Sequence, residues 1–240
     1  MANLFVLAGL IGYVAGRQRM LRGAGWSGLW LCTASLVLST GIGLLAKETA
    51  VMLPLYAFLI EWIVFRRSSA SPLPVLGVAT GEAPVTHKVH SCKERDKRIA
   101  GLFVVVLVLP LLAGLAWQLP IVLQKSYWAT RDFTLGQRLL SETRIVCDYI
   151  VWTLLPTSHA LSFYHDQFRV STGLLRPWTT LASLLALTGL VVATIGLRKH
   201  HPLPALGIAL FLSCQLLTGT ILPLELVYEH RNYFASLGVL

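Results

Sequence analysis

The sequence predicts an all-α fold: a polytopic integral membrane helical bundle of about six spans plus one re-entrant or interfacial helix. Its 240 residues are 55% hydrophobic and only 13% charged, whereas a typical soluble domain carries about 25% charged residues. The charges are also concentrated in gaps between long apolar runs. A bilayer imposes this layout, because hydrocarbon offers backbone polar groups no partner. A spanning segment must therefore be a helix of about 20 apolar residues or a strand of a closed barrel.

The first apolar run, Met1 to Val14, has no basic residue ahead of it and is followed by Arg17, Arg19 and Arg22. That order predicts an uncleaved helix with its start outside, not a signal peptide. The run is short for a full crossing, so the chain is expected to begin part-way through a helix. Trp26 to Leu45 reads as the second span, with Trp26 and Trp30 at the level of an interfacial aromatic belt. Lys47, Glu48 and Thr49 interrupt the pattern before the third span, Ala50 to Phe65. Glu61 lies about one turn from the end of that span, where it is expected to snorkel toward Arg66 and Arg67. Residues 1–65 thus hold transmembrane helices 1 to 3.

Residues 66–98, rich in Ser, Pro, Gly and charge and ending in KERDKR, read as a flexible cytoplasmic linker. Residues 99–119 contain no charge and form the fourth span, closed by Trp117 and Pro120. Residues 120–177 read as an outer loop region. Within it, Ile145 to Leu155 is apolar but only about 16 Å long as a helix, and it carries Asp148; it is expected to be half-buried. Residues 178–240 supply a span to Leu197, the basic turn Arg198 to His201, a return span from Pro202 to Leu224 and the start of a further helix.

Lys and Arg divide 12 inside to 8 outside if the short segment does not cross, and 13 to 7 if it does. The count fits both arrangements. The shortness of that segment and the compact RKHH turn favour the non-crossing one, which puts Lys47–Thr49, residues 120–177 and the EHRNY stretch on one outer surface.

The net charge of +9 comes from separate inter-helix clusters, not from one basic face interleaved with aromatics, which argues against nucleic acid. Cys32, Cys92, Cys147 and Cys214 show no CxxC spacing, so a disulfide framework is not expected. His87, His90 and Cys92 lack a fourth ligand at zinc spacing, and no metal is expected. The long spans are clean at their centres apart from small residues, which disfavours a transporter or channel.

Lys47, Glu48, His165, Asp166, Glu229, His230 and Arg231 are the candidate chemistry on the outer surface. A lipid-linked phosphate donor needs an apolar groove for its tail and a cation at headgroup depth for its phosphate. Arg231, whose guanidinium grips phosphate oxygens in a fork, is the first candidate for phosphate binding and Lys47 the second. Glu48, His165 and Asp166 are candidates for proton transfer. Each also has a plain structural reading: an Arg231–Glu229 ion pair, a polar break at Lys47–Glu48, and solvated loop residues at His165 and Asp166.

The runs LAKETAVMLPLYAFLIEW, RLLSETRIVCDYIVWTLLP followed by SFYHDQF, and EHRNYFASLG resemble bacterial multi-span membrane proteins with tetratricopeptide repeats. These are relatives of the transmembrane and TPR-repeat-containing O-mannosyltransferases. The resemblance implies a GT-C type glycosyltransferase of the bacterial inner (plasma) membrane, which moves a sugar from a polyprenyl-phosphate donor to an acceptor, such as a protein, on the outer side. It also implies supporting roles for Glu229, His230 and Tyr233, since a Glu-x-Arg-x-x-Tyr pattern matches Glu229, Arg231 and, with one residue fewer between, Tyr233. Ala235 stands where a Pro is expected. The acidic motif of a first outer loop and the TPR repeats have no counterpart here, so the chain is expected to be a fragment lacking both ends. A non-catalytic membrane scaffold is the alternative.

Overall fold

The computed structural model describes residues 2–66, 97–129, 133–155, 168–220 and 232–239. Among these the regular elements are helical, with one isolated bridge between Gly173 and Arg176. The helices are α1 (Ala2–Leu21), α2 (Gly25–Ala46), α3 (Glu48–Phe65), α4 (Lys97–Val122), α5 (Leu135–Leu154), α6 (Thr179–Leu197), α7 (Pro202–Thr218) and the short α8 (Asn232–Ala235). Four of them, α2, α3, α4 and α6, are long and apolar enough to cross a membrane. The apolar stretch of α7 is shorter, Pro202–Leu217, and α1 carries Arg17 and Arg19 inside its last turns. The chain divides into two compact units, Met1–Leu112 and Ala113–Leu240, with the boundary inside α4.

In the first unit α1 and α2 form an antiparallel hairpin turned at Gly23, whose φ of 104° is one that side chains rarely tolerate. The two helices meet through small residues in register: Gly9 faces Ser39, Gly12 faces Ser35, and Gly16 faces Cys32 and Gly28. Small residues let backbones approach closely where no water is available to drive helices together. A Cβ added at Gly16 would lie 2.8 Å from the Gly28 carbonyl oxygen and 2.9 Å from the Cys32 nitrogen.

Helix α3 opens with a tight 3₁₀ turn, Glu48–Met52, continues as an α-helix with Pro54 in its first turn, and ends in a wide π turn, Glu61–Phe65. Helix α4 contains a second π turn, Val104–Val108, just ahead of Pro110. Proline has no N–H to give the carbonyl four residues back, and its ring crowds that carbonyl; a widened turn relieves both. Pro120 does not end this helix as the sequence pattern predicts. It lies in the last turns before Val122, where its cost is one backbone bond.

In the second unit α5 is a 20-residue amphipathic helix, so the apolar run Ile145 to Leu155 is only its later part. Arg138, Ser141, Glu142, Ile145, Val146 and Tyr149 are buried at helical spacing. The first three are polar, which is why apolar patterning truncates the helix. Thr134 caps its start reciprocally with Gln137: the Gln137 N–H donates to Thr134 Oγ1 at 3.3 Å, and the Thr134 N–H donates to Gln137 Oε1 at 2.9 Å. Ile145, Val146, Tyr149, Phe211 and Ala235 form the core, with Leu187 and Val239 packed against it. Helices α6 and α7 are joined by the turn at 198–201. Only 11% of the apolar window of α6 is buried. An apolar surface of this extent matches lipid as its solvent.

The glycine seam predicts an asymmetry. Gly16→Ala should destabilise the first unit by about 1–3 kcal/mol through overpacking. Gly41→Ala, at an α2 position where an added Cβ meets nothing within 4 Å, should be neutral or stabilising by up to about 1 kcal/mol. Thermal melts of the two variants in one detergent check this, and equal Tm values would refute the seam.

Candidate functional site

Two buried polar constellations stand out, one in each unit. In the first unit Arg17 sits at 1% exposure on α1 and Glu61 at 8% on the π turn of α3. The Arg17 Nη2–H donates to Glu61 Oε1 at 2.7 Å. Its Nε–H points between the two carboxylate oxygens, at 3.1 and 3.0 Å. The Tyr13 hydroxyl, one turn before Arg17, donates to Glu61 Oε2 at 2.8 Å. The guanidinium also lies 5.8 Å from the centre of the Phe65 ring. Tyr13 in turn packs against Phe103, which packs against Phe58.

This arrangement corrects the expected partner of Glu61. Its carboxylate does not pair with Arg66 but turns inward to Arg17; Arg67 lies outside the described residues. A buried carboxylate needs a partner inside the fold, and the forked guanidinium with a tyrosine beside it satisfies both oxygens. Arg98, at the start of α4, stacks 4.7 Å over the Trp26 ring at the start of α2. The Arg17–Glu61 pair and the Arg98–Trp26 stack thus bring the ends of α1 and α3 and the starts of α2 and α4 together at one end of the unit.

In the second unit Arg138 and Glu142 pair at 3.1 Å one turn apart on α5, with side chains 0% and 9% exposed, and Arg138 lies over the Phe133 ring. Ser141 Oγ accepts from the Ser171 N–H at 2.8 Å, and the Ser171 and Thr180 hydroxyls share a 2.8 Å bond. Further along α5, Asn232 donates to Thr153 Oγ1 at 3.0 Å and to the Tyr149 carbonyl at 3.4 Å. It accepts from Gln215 of α7 at 3.4 Å. The backbones of Gly238 and Gly207 are in close contact, and a Cβ on Gly207 would lie 2.6 Å from the Gly238 carbonyl oxygen. Burial raises the Cys147 thiol above its ordinary pKa, and its S–H donates to the Ser183 carbonyl at 3.8 Å. Burial at this position thus favours the neutral thiol.

Of the residues singled out by the sequence, Lys47 and Glu48 belong to the first unit and Tyr233 to the second. Lys47 is the extended break between α2 and α3, with φ −165° and ψ 141°; its N–H donates to the Gly43 carbonyl and its C=O accepts from Ala50. Glu48 is exposed. Tyr233 is 75% exposed, while its neighbours Asn232 and Ala235 face the helices. His165, Asp166, Glu229, His230 and Arg231, and the HKVHSC cluster, lie outside the described residues.

Sequence reasoning missed the Tyr13–Arg17–Glu61 triad. The available signal was Glu61 itself, an acid inside an apolar span, together with a tyrosine and an arginine four residues apart on one helix face. Comparison with protein families, with curated proteins and with solved structures returns no match.

The ion pair can be tested by unequal variants. Arg17→Met or Glu61→Leu alone leaves a buried charge without its partner and should cost about 3–5 kcal/mol, whereas the double variant should recover most of that loss. Denaturation in mild detergent reads the difference; additive losses would show that the two groups act independently.

Proposed function

We propose that this chain is part of an inner-membrane glycosyltransferase that uses a polyprenyl-phosphate-linked sugar, with six crossings formed by α1, α2, α3, α4, α6 and α7 and with α5 lying half-buried at the outer surface. In this reading Arg231 and Lys47 hold the donor phosphate and Glu229, His230 and Tyr233 support them. Glu48, His165 and Asp166 are the proton-transfer candidates.

One observation supports the reading above the others. The closing run NYFASLG, part of the segment that carries the family resemblance, is built into the second unit: Asn232 bridges α5 and α7, Ala235 is 1% exposed, and Gly238 touches the backbone of Gly207. Arg231 immediately precedes Asn232 in sequence, so a fixed anchor stands beside the proposed phosphate ligand. Ala235, in place of the family's proline, fits the core as a small buried residue.

A non-catalytic scaffold is the second reading. It is favoured by the closure of Arg17 on Glu61 and of Arg138 on Glu142. Both pairs hold helices together or stiffen one, so neither is a poised acid or base.

Photoaffinity labelling of the full chain in vesicles with a polyprenyl-phosphate sugar separates the two readings. Arg231→Ala should lower donor capture roughly tenfold or more, the scale of a lost charge-assisted hydrogen bond, with Lys47→Ala having a smaller effect. Capture unchanged in both variants would leave the scaffold. Single cysteines introduced at Ser68 and Ser162 should react with an impermeant maleimide from opposite faces of the vesicle, and labelling from one face would overturn the six-crossing arrangement.

A further inference from the structure

The segment ahead of α6 places apolar side chains where a soluble turn would carry polar ones. The bridge between Gly173 and Arg176 closes a tight turn, with the Thr172 N–H donating to the Arg176 carbonyl at 3.0 Å and the Arg176 N–H to the Gly173 carbonyl at 3.3 Å. The two residues at its tip, Leu174 and Leu175, are 50% and 68% exposed, and Trp178, which follows it, is 71% exposed.

This turn stands on a fixed base. Ser171 is fully buried, with its N–H donating to Ser141 of α5 and its hydroxyl bonded to Thr180 in the first turn of α6. From α5, Arg144 Nη1–H donates to the Arg169 carbonyl at 2.7 Å and lies 3.4 Å from Ser171 Oγ, and its guanidinium covers the Phe168 ring. Both flanks of the turn are therefore held by buried or charge-assisted bonds, and the leucines at the tip project from a rigid mount.

We propose that the turn at 172–177, together with Trp178, is a membrane-interface anchor. Leu174 and Leu175 dip into the boundary between headgroups and acyl chains, Trp178 lies at headgroup level, and Arg169 and Arg176 meet the phosphates of anionic lipids. Three observations select a bilayer as the occupant. The turn leads directly into α6, one of the helices long and apolar enough to span. A tryptophan immediately before the first residue of such a helix occupies the position that interfacial aromatics favour. Two exposed arginines flank the apolar tip, and this pairing of apolar insertion with cations suits an anionic lipid surface. A second copy of the chain would need a broader apolar face than two leucines and one indole provide. The anchor rests on α6 crossing the bilayer and not on the transferase reading; it sets the depth at which α6 enters.

The test is photo-crosslinking of the full chain in vesicles of phosphatidylethanolamine and phosphatidylglycerol. A diazirine amino acid is placed in separate samples at Leu174, at Leu175 and at Leu185, an exposed position within α6. Lipid adducts at all three positions are expected, with phosphatidylglycerol enriched at the turn over its share of the vesicle and that enrichment lost in R169Q/R176Q. Lipid adducts at Leu185 alone, with the turn quenched by water or joined to a second chain, overturn the proposal. Absence of lipid adducts at Leu185 overturns it differently, by removing α6 from the bilayer. Equal capture of the two lipids by the parent chain eliminates the role given to the arginines.

Discussion

Glu61 is the one acid inside the third apolar run, and its need for a partner organises the first unit. Its carboxylate accepts from Arg17 and Tyr13 of α1, so the hairpin of α1 and α2 cannot slide along α3 without stranding a charge in a low-dielectric setting. The π turn at Glu61–Phe65 places both the acid and Phe65 beside the same guanidinium. A buried ion pair of this kind adds little net stability compared with well-packed apolar residues, but it strongly penalises every arrangement in which the pair is broken. It therefore acts on register more than on overall stability.

The glycine seam works on the same helices by a different route. The ion pair fixes which end of α1 meets α3, while Gly9, Gly12 and Gly16 fix how closely α1 approaches α2. The second unit uses neither device alone. Its core is apolar at Ile145, Val146, Tyr149 and Phe211, but its ends are fastened by hydroxyl and amide bonds at Ser141, Ser171, Thr153 and Asn232. Polar bonds of this sort direct orientation in an apolar setting where hydrophobic burial discriminates weakly between faces.

Much of the helix layout was legible in the sequence, because long apolar runs bounded by charge or tryptophan have few other meanings. Trp26 to Leu45 and residues 99–119 each lie within a helix found in the structure, and Trp178 to Leu197 matches α6 but for Trp178, its N-cap. The reading failed where polar residues face inward. The first half of α5 reads as loop from the sequence because Arg138, Ser141 and Glu142 look solvated until their partners are known. Local pattern pairs Glu61 with the nearest cations in sequence, whereas its partner is 44 residues away, and no local pattern encodes such a distance. Of the candidate site, the sequence named residue types suited to a phosphate, and the structure locates Lys47 as a backbone break, Glu48 on the surface and Tyr233 exposed. The anchoring role of Asn232 and Gly238 was hidden because it depends on Thr153, Gln215 and Gly207, all distant in sequence.

The bond from Asn232 to the Tyr149 carbonyl joins residues 83 apart in the chain, whereas the contacts of the α1–α2 hairpin form within its own length. During synthesis the hairpin can close soon after it leaves the ribosome. Helix α5 emerges long before the residues that fasten its far end, and until Asn232, Ala235 and Val239 follow, Thr153 and part of the core around Phe211 remain uncovered. The two units therefore mature on different clocks, and a cell's insertion machinery or chaperones have a longer interval in which to hold, or to lose, the second.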